Sequence, residues 1–279
     1  MAALLAILSA VAYGTCDFGA GIASRRFAPG PVTAVVEVMG LVTAILATLF
    51  IAGGRPDQSV LFWGAVSGVG SGVGTLSLYR GLAVGRMSLV ATVSAVLTVV
   101  LPVIVSVILG YRPGPLVWIG LVGSVPAIAL VSWQGDSNSQ GGARSGLLYG
   151  VVAGAAFAFL YIGLHHAGTG AGAWPLIPGL VVSSLLVAPF AVLGLRSGGR
   201  PSARTGAYMF GAGLLGGAGN LLFLASTGPG ELAIVAVLSS MGPGVTVVLA
   251  RVFLAEHWSR LQLVGLLLAV GAVALISVG

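Results

Sequence analysis

Apolar residues fill long runs of this chain, and short clusters of Arg, Gly, Pro, Ser and Asp separate them. A helix that crosses a bilayer needs roughly 20 mostly apolar residues. The pattern predicts ten such helices, at about 2–24, 31–52, 60–82, 88–110 and 115–133, then 146–167, 174–195, 205–226, 231–254 and 260–278. The longest polar stretch runs from Gln134 to Ser145. Its Gly, Asp, Ser and Asn content predicts a linker, 134–145, between a first half, 1–133, and a second half, 146–279. The first run, Ala2 to about Ala23, lacks a basic lead and exceeds a signal-peptide core, so it reads as a first span.

The two halves resemble each other. A shift of 145 residues places Gly68, Gly72, Gly74 and Leu76 on Gly213, Gly217, Gly219 and Leu221. The register continues through Gly85 on Gly230, Val90-Ala91 on Val235-Ala236, Ser94 on Ser239 and Gly120-Leu121 on Gly265-Leu266. A shift of 144 extends it upstream, where Pro31 falls on Pro175. Scattered matches would follow from biased composition; a sustained register points to duplication. Five spans per half is an odd number, so the second half enters the membrane from the opposite side. Inverted repeats of this kind hold transporter sites near the midplane, between the halves.

Composition agrees with lipid as the solvent. The chain is 57% hydrophobic and 6% charged, where soluble domains carry about 25% charged residues. Its mean hydropathy is +1.10. All 12 basic residues are arginines, against six acids. They stand singly or in pairs at span ends, which suits interface anchoring and argues against a nucleic-acid surface. Most lie in the loops after odd-numbered spans, so the positive-inside rule predicts both termini outside. Cys16 is the only cysteine, and an intrachain disulfide is excluded.

Charge within a span is costly, about 2.5 to 3.5 kcal/mol for a central Asp or Arg on insertion scales. Two acids therefore stand out: Asp17 in span 1 and Glu37 in span 2. Each is seven or eight residues from the Arg25–Gly30 turn, roughly 10–12 Å below one interface. Tyr13 shares a face with Asp17 by i, i+4 spacing. One reading is a cavity pair that binds a cationic group or a proton. The other is that these acids pair with Arg25 or Arg26, or reach into headgroups. Their repeat positions, Tyr161 and Val181, are not acidic, so the site is asymmetric. Ser239 and Pro243 belong to a Ser-Ser-Met-Gly-Pro-Gly stretch that predicts a break in span 9, and Pro102 stands within about a turn of the matching place in span 4. Asn220, matching Thr75, is an amide inside span 8 that needs partners, and Tyr79 and Tyr161 are candidate cavity residues. Glycines at four-residue intervals, Gly64, Gly68 and Gly72, predict close helix packing. No Cys/His metal cluster, nucleophile elbow or phosphate loop is present, and Gly211-Ala-Gly213-Leu-Leu-Gly216 lacks the strand a dinucleotide site needs. No catalytic residue, metal or cofactor is expected.

Several of these segments resemble the EamA-type branch of the drug/metabolite transporter superfamily. The resemblance rests on Tyr13-Gly14-Thr15-Cys16-Asp17-Phe18, on Leu78-Tyr79-Arg80-Gly81-Leu82-Ala83-Val84-Gly85, on Val235 to Ser240 and on Leu249 through Glu256. It implies an all-α polytopic protein of the cytoplasmic (inner) membrane, ten helices in two inverted five-helix repeats, with spans 1–4 and 6–9 around a cavity. It also implies alternating-access export of metabolites, amino acids or drug-like cations, coupled to protons or exchange, and cytoplasmic termini. The partners expected are a small-molecule substrate, protons and lipids, with no nucleic acid. Gly110-Tyr111-Arg112 lacks the glutamate the family tends to place after span 4, while Ala255-Glu256-His257 keeps it after span 9. Glu37 stands where many relatives carry a basic residue, which favours a cationic substrate. Two other readings compete: a membrane-embedded enzyme using Asp17, Glu37 and His165 or His166, and a non-transporting scaffold or sensor.

Overall fold

A computed structural model describes residues 2–50, 54–110, 112–132, 140–168, 171–198, 200–226, 241–256 and 259–278. Among them the chain forms ten helices and no strand. They are α1 (Ala2–Arg26), α2 (Pro29–Phe50), α3 (Gln58–Val84), α4 (Met87–Ile108), α5 (Pro115–Ser132), α6 (Gln140–Ala167), α7 (Leu176–Gly198), α8 (Ala203–Ser226), α9 (Gly242–Phe253) and α10 (Arg260–Val278). Seven are long and apolar enough to cross a membrane, and α5 and α9 are shorter apolar helices. Lipid cannot hydrogen-bond a free backbone, so spanning segments close their own bonds as helices. Turn chemistry sets the ends. Asp57 caps α3 by accepting from Val60 N at 2.8 Å, and Pro29 opens α2, where its missing N–H costs nothing.

Two boundaries differ from the sequence pattern. Helix α6 starts at Gln140, so residues 140–145 of the expected linker are helical. Helix α9 starts at Gly242 with Pro243 in its first turn, whereas α4 runs through Pro102 without ending. Pro243 therefore opens the described helix of span 9.

Helix directions follow from the order of contacts. Along α1, Ser9 bonds Gly219 O, Cys16 meets Gly216 and Gly19 meets Ala212 of α8, so the two run antiparallel. Along α3, Gly70, Gly74, Gly81 and Gly85 meet Leu160, Phe157, Tyr149 and Gly146 of α6, again antiparallel. Helix α2 is parallel to α8, through Val35 and Met39 on Gly213 and Thr43 on Gly217. Helix α3 is parallel to α7, through Gly64 on Pro175, Gly68 on Gly179 and Gly72 on Ser183. Helix α2 opposes α7, with Gly30 at Phe190 and Gly40 at Leu180. Tracing α1, α8, α2, α7, α3 and α6 in turn, α6 runs opposite to α1, α7 to α2 and α8 to α3. The halves are inverted.

The major interfaces join one half to the other and occur in pairs: α1 with α8 and α6 with α3, α2 with α8 and α7 with α3, α1 with α9 and α6 with α4. Helices α5 and α10 pack on each other at the side, with Gly120 against Ala272 and Ile276. Their apolar cluster, which includes Val117, Leu121, Ala269 and Val273, is separate from the main core of Cys16, Phe18, Tyr79, Leu82, Met87, Val90, Met209 and neighbours.

Candidate functional site

Asp17 lies in the middle of α1, which crosses α8 and α9 through small residues. Gly14 touches Gly242 O and Val245, with no room for a Cβ, and Thr246 Oγ1 donates to Gly14 O at 3.0 Å. This close crossing fixes the rotation of α1. Asp17 is then half-buried in the neighbourhood of Tyr79 of α3, whose hydroxyl lies 3.6 Å from Cys16 Sγ. Tyr79 itself is buried. Tyr161 of α6, the repeat counterpart of Asp17, lies close enough to Asp17 and Tyr13 to act on them electrostatically. It keeps 54% of its surface exposed.

Glu37 is buried, at 3% exposure, where α2 meets α3 and α7. Ser71 Oγ donates toward both carboxylate oxygens at 3.4 Å, and Thr75 and Ser183 stand beside them. Ser183 is fully buried, and its hydroxyl completes no hydrogen bond among the described residues. Glu37 and Asp17 do not bond each other. Both act electrostatically on Tyr79 and Cys16.

Tyr13 donates its hydroxyl hydrogen to Asn220 Oδ1, joining α1 to α8. This answers the partner question for Asn220, whose Nδ2 also points toward Gly40 of α2. Five of the sequence candidates, Tyr13, Asp17, Glu37, Tyr79 and Tyr161, thus form one electrostatic neighbourhood, with Asn220 tied to it through Tyr13. Pro243 is turned elsewhere. It lines an apolar crevice with Thr92, Val96, Leu266, Ala269 and Val273, between α4, α9 and α10. Ser239 lies outside the described residues.

Sequence reasoning left open that Arg25 or Arg26 neutralise the acids. Neither does. Arg26 lies over the Tyr208 ring at 5.5 Å, and Arg25 is 3.8 Å from Glu256. Asp17 and Glu37 make no ion pair with a described residue. Nor do the histidines join them: His166 stacks on Trp63 at 4.6 Å, at the start of α3, while the acids gather at Tyr79. Sixteen residues of helix separate those positions, roughly 24 Å. No group of three metal-binding side chains occurs among the described residues.

Sequence reasoning missed the hydroxyls around Glu37, and it missed the use of Glu256. Glu256 accepts from Met87 N at 2.8 Å, Ser88 N at 3.2 Å and Ser88 Oγ at 2.7 Å, capping α4 from the far half. The signal available was an acid kept after span 9 and absent after span 4.

The chain matches the model of the EamA-like transporter family twice, over residues 1–133 and 141–278. No curated protein matches it. A solved structure, described as the crystal structure of a protein, is similar with a TM-score of 0.62 and 17% sequence identity. The alignment covers 98% of this chain and 94% of that one, a likeness of fold.

Proposed function

The chain belongs to the EamA-like transporter family and is a multi-pass membrane protein, and from that premise we propose that it is a secondary-active carrier. It exports small metabolites, amino acids or drug-like cations across the cytoplasmic membrane by alternating access. The groups that move against each other each draw helices from both matched segments, since α1 packs on α8 and α9 while α3 and α4 pack on α6. Asp17 and Glu37 take up the coupling proton or a cationic group of the substrate. It is not an enzyme.

One observation carries this reading. Two carboxylates sit inside spanning helices, in the neighbourhood of one buried tyrosine, and neither is neutralised by a described arginine. An uncompensated acid in a span is expensive, so it persists where its charge is used. The neighbours are hydroxyls of Tyr79, Ser71 and Thr75, which can hold either an anion or its protonated form. The arginine-rich end of the bundle, with Arg25, Arg196, Arg200 and Arg204, supports a cytoplasmic placing of that end and external termini.

The test is uptake into proteoliposomes from a panel of amino acids and organic cations, with and without a pH gradient. Transport of at least one compound is expected, and Asp17→Asn or Glu37→Gln should lower it at least tenfold while the protein remains folded. Sealed vesicles that carry nothing across the panel would sink the carrier reading. Full activity in both variants would sink the assignment of the acids.

A further inference from the structure

Outside this site, a group of polar contacts lies at the arginine-rich end. Arg25, in the last turn of α1, donates through Nε to Leu82 O and through Nη2 to Gly85 O, both at 2.9 Å. The carbonyls that end α3 carry partial negative charge, and the N–H groups that start α4 carry partial positive charge. Arg25 complements the first set and Glu256 the second, and the two side chains are 3.8 Å apart. Only Gly85 and Arg86 separate α3 from α4, so a single tight turn is gripped from both sides.

Glu256 is placed with care. Leu254 ends α9, and Ala255 then takes φ 51°, a left-handed conformation that an alanine holds only under constraint. Glu256 N returns to Ala250 O at 3.5 Å, and Arg251 Nη1 holds Glu256 O at 2.9 Å. The strained turn aims the carboxylate out of the second half and onto the first.

We propose that Arg25 and Glu256 together form a latch on the α3–α4 turn that closes this end of the bundle, and that the turn parts from them when it opens. Glu256 comes from the second half, whereas Arg25, Met87 and Ser88 come from the first. Helix α1, which carries Arg25, packs on α8 and α9, while α3 and α4 pack on α6, so movement of the one group against the other frees the α3–α4 turn from both side chains together. The device is one-sided. The repeat shift carries Glu256 onto Tyr111 and Arg25 onto Thr169 or Gly170, so neither charge recurs in the sequence for the opposite end. The latch goes beyond the carrier reading, because opening can be followed without any substrate.

The experiment uses the full chain in lipid nanodiscs, with Cys16→Ala as background and Met87→Cys as reporter. Met87 is fully buried against Gly21 of α1, directly beneath the latch. A hydrophilic maleimide should label the reporter slowly. Glu256→Gln and Arg25→Gln should each raise the labelling rate about tenfold, while Arg25→Lys, which keeps the charge, should stay within about threefold of the parent. Should Glu256→Gln fail to fold, Arg25→Gln and the parent at high salt serve instead; raising salt to about 1 M should speed labelling by screening the pair. A clamp that never opens predicts unchanged labelling with only a lower melting midpoint, and that result overturns the proposal. Faster labelling in a protein whose vesicles carry nothing would uphold the latch and reject the carrier.

Discussion

The ring of Tyr13 lies on Gly219 where α1 meets α8, and the ring of Phe157 lies on Gly74 where α3 meets α6. The two places are equivalent: Gly74 and Gly219 are 145 residues apart, Tyr13 and Phe157 are 144 apart. Both use a glycine as the seat for an aromatic ring, which lets the helices approach closely. They differ in polarity. Tyr13 carries a hydroxyl that finds Asn220, while Phe157 has none and Asn220 is matched by Thr75. The same division recurs at mid-span, where Asp17 has Tyr161 as its counterpart, and at the arginine-rich end, where Glu256 has Tyr111. Duplication preserved the packing surface, which both halves need. It left the polar groups free to differ, because a polar contact across the seam needs only one copy of each partner.

Three experiments press on this comparison, beginning with the largest effect. Gly68 and Gly213 are repeat equivalents, but a Cβ on Gly68 would overlap the Gly179 backbone, whereas one on Gly213 would meet chiefly the Met39 side chain. Backbone cannot rotate aside, so Gly68→Ala should destabilise by about 3 kcal/mol and Gly213→Ala by about 1 kcal/mol, read from SDS-titration unfolding. Equal losses would mean that the seams are equally rigid. Asp17→Asn against Tyr161→Phe comes next. The former should cut vesicle transport at least tenfold, about 1.4 kcal/mol, and the latter less than threefold. Similar losses would make the site symmetric in use. The smallest effect is at the rings. Tyr13→Phe removes one hydrogen bond and should cost about 1 kcal/mol, whereas Phe157→Leu at the other seam tests shape alone, and there a pH-independent loss of similar size is expected from lost ring packing. A Tyr13→Phe variant as stable as the parent would show that its hydroxyl contributes nothing to the fold.

Hydropathy alone was enough to place most of the helices, since the preference for lipid is summed over some 20 consecutive residues and needs no partner; it missed the start of α6. The internal register was equally open to reading, and an odd number of spans in each half required inversion before any contact was known. Asp17 and Glu37 could be singled out for the same reason, as the cost of charge in a span is a property of the position. Pairing was a different matter. Helices such as α1 are apolar around most of their circumference, so the pattern does not say which side meets which neighbour. Hydrogen bonds and ion pairs act over about 3 to 4 Å and join residues far apart in the chain. Tyr13 meets Asn220 across 207 residues, and Met87 meets Glu256 across 169. That Arg25 turns to Glu256 and away from Asp17, that both acids act on Tyr79, and that Pro243 faces α10 were decided only when the glycine crossings set each helix's rotation.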